Sequence, residues 1–192
     1  MFEELSIEDA RGQVGIGTLI IFIALVLVAA VAAGVLVQTS GLLQAQAEST
    51  GEDAQSEVGN QISVVSATGA VTNDSVSTVN ITVKKSAGSD PIDLEDATIE
   101  YTSAGAAETL TYNGSADAGN FSTTNISAHS STVMMNTGGR IKVTIDTAAI
   151  EDNDGIVAGD EATLRIVDQS GATTIYGVNV PDSLGDRSYV SV

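Results

Sequence analysis

The 192-residue chain contains no cysteine, so neither disulfides nor thiolate metal sites are available to it. It has no tryptophan, three phenylalanines and four tyrosines, and its core must come from Val, Ile, Leu and Ala. Its one histidine, His129, rules out a multi-histidine metal site within one chain. A Ser-His-Asp triad would have to run through His129, yet no nucleophile-elbow motif surrounds any serine. His129 lies in a Ser/Thr-rich stretch and reads as a solvated surface side chain. Bases are scarce as well: seven Lys and Arg stand against 25 Asp and Glu, a net charge of −18. Such a chain repels nucleic acid, and no basic patch is visible along it. Charge of this size is best tolerated in concentrated salt, where the Debye length falls to about 3 Å and self-repulsion is screened. Carboxylates are so common that pairs of them carry no diagnostic weight for hydrolysis. The expectation is a protein that is not an enzyme and needs no cofactor.

The first 60 residues carry most of the information. No residue from Gly12 to Ala47 is charged, and Val14–Val37 is a run of 24 residues in which Thr18 alone has a hydrogen-bonding side chain. More than about 18 such residues suffice to cross a bilayer as a helix. Being apolar on every face, the helix must be buried all round, by lipid or by other helices. The preceding Met1–Gly12 carries Glu3, Glu4, Glu8 and Asp9, with Arg11 as its one base. A secretory signal would instead have a basic start, a shorter apolar stretch and small residues at the cut. The Ala45-Gln46-Ala47 triplet imitates such a cut but lies well beyond the apolar run. A cut between Gly12 and Gln13 fits better: it removes an acidic leader, held inside by Arg11, and leaves the apolar helix on the mature chain.

Arg11-Gly12-Gln13-Val14-Gly15-Ile16-Gly17-Thr18-Leu19-Ile20, with Ile21–Ala24, Val28–Ala33 and Thr39–Ala47 after it, resembles the N-terminus of archaeal flagellins (archaellins). The resemblance covers about the first 50 residues. It implies leader removal by a prepilin-peptidase-like enzyme, residence in the membrane, and extraction by a membrane assembly platform. It also implies assembly with copies of itself, or with sister archaellins, into an extracellular motility filament. Bacterial type IV pilins carry Glu at the fifth mature position, where this chain has Gly17, so pilin-style charge pairing does not transfer. The Gly15-Ile16-Gly17 sequence lacks the preceding strand and the following lysine of a phosphate loop. Two alternatives remain: an adhesive type IV-like pilin, and a single-pass surface protein whose β-domain binds a ligand.

The helical pattern continues to about Val58, with charges appearing at Glu48, Glu52, Asp53 and Glu57. From Asn60 the period changes to two: Val79/Ile81/Val83, Ile99/Tyr101, Ile141/Val143/Ile145 and Leu164/Ile166 alternate with polar residues, as half-buried strands do. Gln169–Ala172 reads as a hairpin loop and Tyr189–Val192 as an edge strand. The predicted fold is therefore α+β: a leader over 1–12, a hydrophobic polymerisation helix over 13–59, and an all-β immunoglobulin-like sandwich head over 60–192. Five Asn-x-Ser/Thr sequons, at Asn73, Asn80, Asn113, Asn120 and Asn125, exceed the roughly two expected of a random match and are glycosylation candidates; archaellins, the resembling family, are commonly glycosylated. The acidic stretch with Asp152, Asp154 and Asp160 offers hard oxygen ligands for Ca²⁺, but it fails the EF-hand template at Ile156. Its Asp154-Gly155 pair is also a plain turn signal.

Overall fold

The computed structural model describes residues 2–128, 130–151 and 154–192. The chain divides at Glu52/Asp53 into two compact units. The first is formed by helix α1, Phe2–Gly59, whose last residues belong to the second. The helix has no proline and continues through Gly34, Gly41 and Gly51. Thr18, Thr39 and Thr50 turn their hydroxyls back onto the carbonyls of Gly15, Val35 and Gln46 at 2.8–2.9 Å. These three hydroxyls thus find acceptors within the helix itself.

The second unit is the β head. Its strands are β1 (Ile62–Thr72), β2 (Ser75–Lys85), β3 (Ile92–Asp93), β4 (Thr98–Ser103), β5 (Ala107–Tyr112), β6 (Asn120–Asn125) and β7 (Val133–Met134). They are followed by β8 (Ile141–Asp146), the one-turn helix α2 (Thr147–Ile150), β9 (Ile156–Val157), β10 (Glu161–Val167), β11 (Thr173–Asn179) and β12 (Tyr189–Ser191). One large sheet runs in the order β11-β10-β4-β5-β6-β8-β2-β1-β12, with β9 also on β2; β3 and β7 pair separately.

The layers of the anticipated sandwich are two halves of this single curled sheet. Antiparallel ladders on either side meet at a short parallel seam, Thr111↔Asn120 and Tyr112↔Phe121. The curl brings the far ends together: the Tyr176 hydroxyl donates to the Val192 carbonyl at 2.9 Å, and Thr174 Oγ1 to Ile62 O at 3.0 Å. Between the halves, Ile81, Val83, Val143 and Ile145 face Ile99, Tyr101, Leu164 and Ile166, all at most 1% exposed. Phe121 packs edge-on against Tyr112, with ring centroids 6.0 Å apart.

Local chemistry sets the turns. Asn73 and Asp74 both adopt positive φ, 54° and 59°, the two left-handed residues that a type I′ hairpin needs and that Asn and Asp tolerate best. Asp146 caps α2 by accepting from Ala149 N at 3.1 Å. Gln169–Ala172 is the β10–β11 loop, closed by Asp168 N donating to Ala172 O and Gly171 N to Asp168 O, each at 3.0 Å. Tyr189–Ser191 pairs with β1 at the sheet's end.

Where the helix enters the head, Asn60 ties three segments together. Its own N–H continues the helix by donating to Ser56 O. Its Oδ1 accepts from Asp90 N at 2.8 Å, and its Nδ2 donates to Ser170 Oγ at 3.2 Å. Ser170 Oγ in turn donates to Asp168 Oδ1 at 2.6 Å, and Ser89 Oγ donates to the last helical carbonyl, Gly59 O, at 3.2 Å. The buried Lys85 ammonium donates to Ser89 O. Buried polar groups are mostly hydrogen-bonded; this network gives the last helical carbonyl, Gly59 O, a partner and fixes residues 56–60 to the head, while Asp168 Oδ2 is buried without one among the described residues.

Candidate functional site

The functional surface with the largest free energy at stake is the apolar half of α1. Leu25, Val26, Leu27 and Val28 are four consecutive residues, spaced about 100° apart around a helix, and are 64%, 50%, 61% and 67% exposed. Phe22 and Leu36, farther along each way, are 65% and 70% exposed. The residues from Gly12 onward form one helix long and apolar enough to cross a membrane. Fully burying a Leu, Ile, Val or Phe side chain is worth about 1.5–3 kcal/mol relative to water. A helix with this many such side chains therefore has tens of kcal/mol, to order of magnitude, favouring burial in lipid or in a bundle. Because all faces are apolar, a single neighbouring helix would leave most of that surface wet.

Gly12 and Gln13 both lie on this helix and are exposed. Of the sequons, Asn73, at the β1–β2 turn, Asn113, just after β5, and Asn125, at the end of β6, are exposed. Asn113 Oδ1 accepts from the next residue, Gly114 N, at 2.7 Å. Asn80, half-buried on β2, accepts from Thr144 Oγ1 at 2.9 Å. Asn120 donates to Asp117 Oδ1 at 2.8 Å, and Asn125 donates to Ala128 O and accepts from Ala128 N at 2.7 and 2.8 Å. The hydrogen bonds at Asp117, from Gly119 N foremost and then Asn120, lower its carboxyl pKa.

Of the proposed metal ligands, Asp154 and Asp160 are exposed, while Asp152 and His129 lie outside the described residues. Among the described residues no group of three or more His, Asp or Glu is placed to hold a metal. Nearby, a cleft of about 240 Å³ is lined by Ser103, Gly105, Glu151, Ile156, Asp160 and Glu161. The Tyr101 hydroxyl donates to Glu151 Oε1 at 2.6 Å; burial first, and then Glu151, push its pKa up. On the outside of the sheet Arg165 binds Glu100 through two hydrogen bonds of 2.8 and 2.7 Å, which lower the Glu100 pKa.

Two features escape a reading of the sequence. The Asn60 network draws on residues up to 110 positions apart, which no local pattern reveals. Lys84, Arg140 and Lys142, scattered along the chain, come onto one face of the sheet. In register Lys142 lies opposite Thr82 and Ile141 opposite Val83, and Lys84 and Arg140 are the residues next along from that last pair. A small basic patch therefore exists, contrary to the linear reading. It remains a local feature of a chain with net charge −18.

The comparisons agree with this anatomy. A family model described as archaeal-type flagellin matches residues 12–178. Flagellin B2 of Halobacterium salinarum is 46% identical over 197 residues, covering 100% of both chains. Among solved structures, a chain of the archaeal flagellum of Methanospirillum hungatei superposes with a TM-score of 0.68 at 22% identity, over 88% of this chain and 94% of that one. An archaeal flagellin from Methanocaldococcus jannaschii gives 0.61 at 18% identity, over 69% of this chain and 96% of the other. An apolar helix open on every side, joined to a curled β head and matched over the whole chain by a curated flagellin, places this protein in the archaeal-type flagellin family.

Proposed function

We propose that this chain is a passive, non-catalytic subunit of the archaeal flagellum filament, serving swimming motility and assembling through α1. The observation that carries the reading is the helix itself, apolar and exposed on all sides from Val14 to Val37 on a chain whose head is already folded around its own core. The subunit waits in the membrane after a prepilin-peptidase-like enzyme cuts between Gly12 and Gln13. A membrane assembly platform then moves it into a bundle of sibling helices. Lipid and sibling helices are both apolar, so the transfer does not require this surface to meet water. Heterologous contacts that do not close on themselves produce a helical filament, and sister flagellins sharing the helix can join it. The heads form the extracellular surface, with negative charge and with glycans at the exposed sequons Asn73, Asn113 and Asn125.

Mass spectrometry of purified surface filaments tests this: the mature chain is expected to begin at Gln13. A chain that retains Met1, or that starts beyond Ala47, overturns the mechanism. Deletion of the gene should abolish swimming; cells that swim normally but no longer adhere would identify an adhesive pilin instead.

A further inference from the structure

In a chain with 25 acidic residues, the acids are nearly missing from one half of the sheet. Strands β1, β2, β6, β8 and β12 hold a single one, Asp146, at the far end of β8. The outer face of those strands carries Lys84 and Lys142, with Arg140 beside them, among hydroxyls such as Ser63, Thr82 and Thr124, their register neighbours. The inner neighbours Ile81, Val83, Ile141 and Val143 are at most 1% exposed, so these polar side chains point outward. Arg140 is exposed and the two lysines are half-buried. Among the described residues the one ion pair is Arg165–Glu100, on the other half of the sheet; the three bases of the patch have no carboxylate within salt-bridge distance.

The complementary surface is on the helix. Between Gly12 and Val83 there is no base, and Glu48, Glu52, Asp53 and Glu57 are exposed and unopposed along the helix's second half. Glu48 and Glu52 are one turn apart, as are Asp53 and Glu57, a rise of about 6 Å. On the sheet, Lys84 and Lys142 are diagonal neighbours on paired strands, about 7–8 Å apart. A β face with bases at that spacing fits an acidic helix laid across it.

Resting on the filament reading above, we propose that Lys84, Arg140 and Lys142 dock the head onto the acidic second half of the α1 helix of a second copy of this chain. Such pairs are at contact range. Salt that screens the long-range repulsion between heads of net negative charge weakens them far less, so the contact supplies attraction and register where the apolar bundle ends.

Zero-length carbodiimide coupling of intact filaments, read by mass spectrometry, tests the contact. Amide links are expected from Lys84 or Lys142 to Glu48, Glu52, Asp53 or Glu57, in filaments and not in detergent-dispersed subunits. Charge exchange tests its contribution. Lys84→Glu with Lys142→Glu should lower filament yield about tenfold, since exposed pairs are each worth only a few-fold. Adding Glu48→Lys and Glu52→Lys to the same chain should restore most of it. Links from the two lysines only to other heads, or a yield that the helix exchange does not restore, would overturn the proposal. If the unaltered chain formed no filaments, the filament reading and this inference would fall together.

Discussion

Replacing Gly155 by alanine tests how tightly the head is closed. Gly155 has φ of +123°, a region that residues with a Cβ avoid, at a cost of about 1–3 kcal/mol. Its backbone also lies against β2: an added Cβ would stand 2.1 Å from the Val76 carbonyl oxygen and 2.7 Å from its carbon. That carbonyl cannot easily retreat, because it accepts the buried Thr147 hydroxyl at 2.6 Å and Val76 pairs with Ile156. Overpacking of this kind adds about 1–3 kcal/mol. Together the two terms make about 2–6 kcal/mol, a fall in melting temperature of about 5–25 °C for a domain of this size. Two other glycines separate the terms. Gly171 has φ of +86° with nothing within 4 Å of an added Cβ, so alanine there costs only the backbone strain, at most about 3 kcal/mol. At Gly69 an added Cβ meets side-chain methyls, Val76 Cγ1 at 2.6 Å and Val192 Cγ1 at 3.2 Å, which can rotate, so alanine there should fall between the other two. Thermal unfolding of the detergent-dispersed full chain, followed by circular dichroism, measures all three. A Gly155→Ala chain melting within about 2 °C of the parent, or Gly171→Ala losing as much as Gly155→Ala, would refute the steric account.

Three further outcomes are expected. Leu27→Asp places a charge at the middle of the apolar run and costs about 2.5–3.5 kcal/mol at a bilayer centre. That is small beside the tens of kcal/mol holding the helix in lipid, to order of magnitude, so the subunit should stay in the membrane fraction while filament yield falls; a full filament yield would contradict burial of that face among sibling helices. Tyr101 ionises in the unfolded chain near pH 10.0 but at higher pH in the folded head. Its contribution is therefore intact below pH 10.0 and lost as pH rises above it, and a parent melting curve falling no faster there than that of Tyr101→Phe would exclude the linkage. Dialysis into dilute buffer lengthens the Debye length to about 30 Å at 0.01 M, so filaments built from heads of this charge should loosen under electron microscopy. Filaments unchanged in dilute buffer would count against adaptation to salt.

The strands that a reader of the sequence finds are those with a clear run of alternation, Val79–Val83 of β2, Ile99–Tyr101 of β4, and β8 and β10, where every second side chain is an aliphatic or aromatic group buried on one face. β1 is hidden by its own bulge. Ile62 faces inward, then the register shift between Val64 and Ser66 turns the inward positions to Ala67 and Gly69, leaving Val65 41% exposed. An extra residue resets a period of two, so no alternation survives in the sequence. β5 and β6 each bury one side chain, Leu110 and Phe121, too few to show a period at all. Sequons are legible as motifs, but whether an asparagine is exposed, as at Asn73, or half-buried in the ladder, as at Asn80, depends on its place in the sheet.

The apolar helix was determined by sequence alone, because uninterrupted apolarity over 24 residues is a local property that leaves burial in lipid or among siblings as the outcomes. The acidic surface and the β character of the head followed likewise from composition and short periodicity. Only the tertiary structure decided the curl that joins two layers through a parallel seam, the Asn60 network under the head, and the gathering of Lys84, Arg140 and Lys142 onto one acid-poor face. Each of these depends on strand register between residues far apart in the chain. Register is set by the packing of the whole sheet, which no single segment encodes.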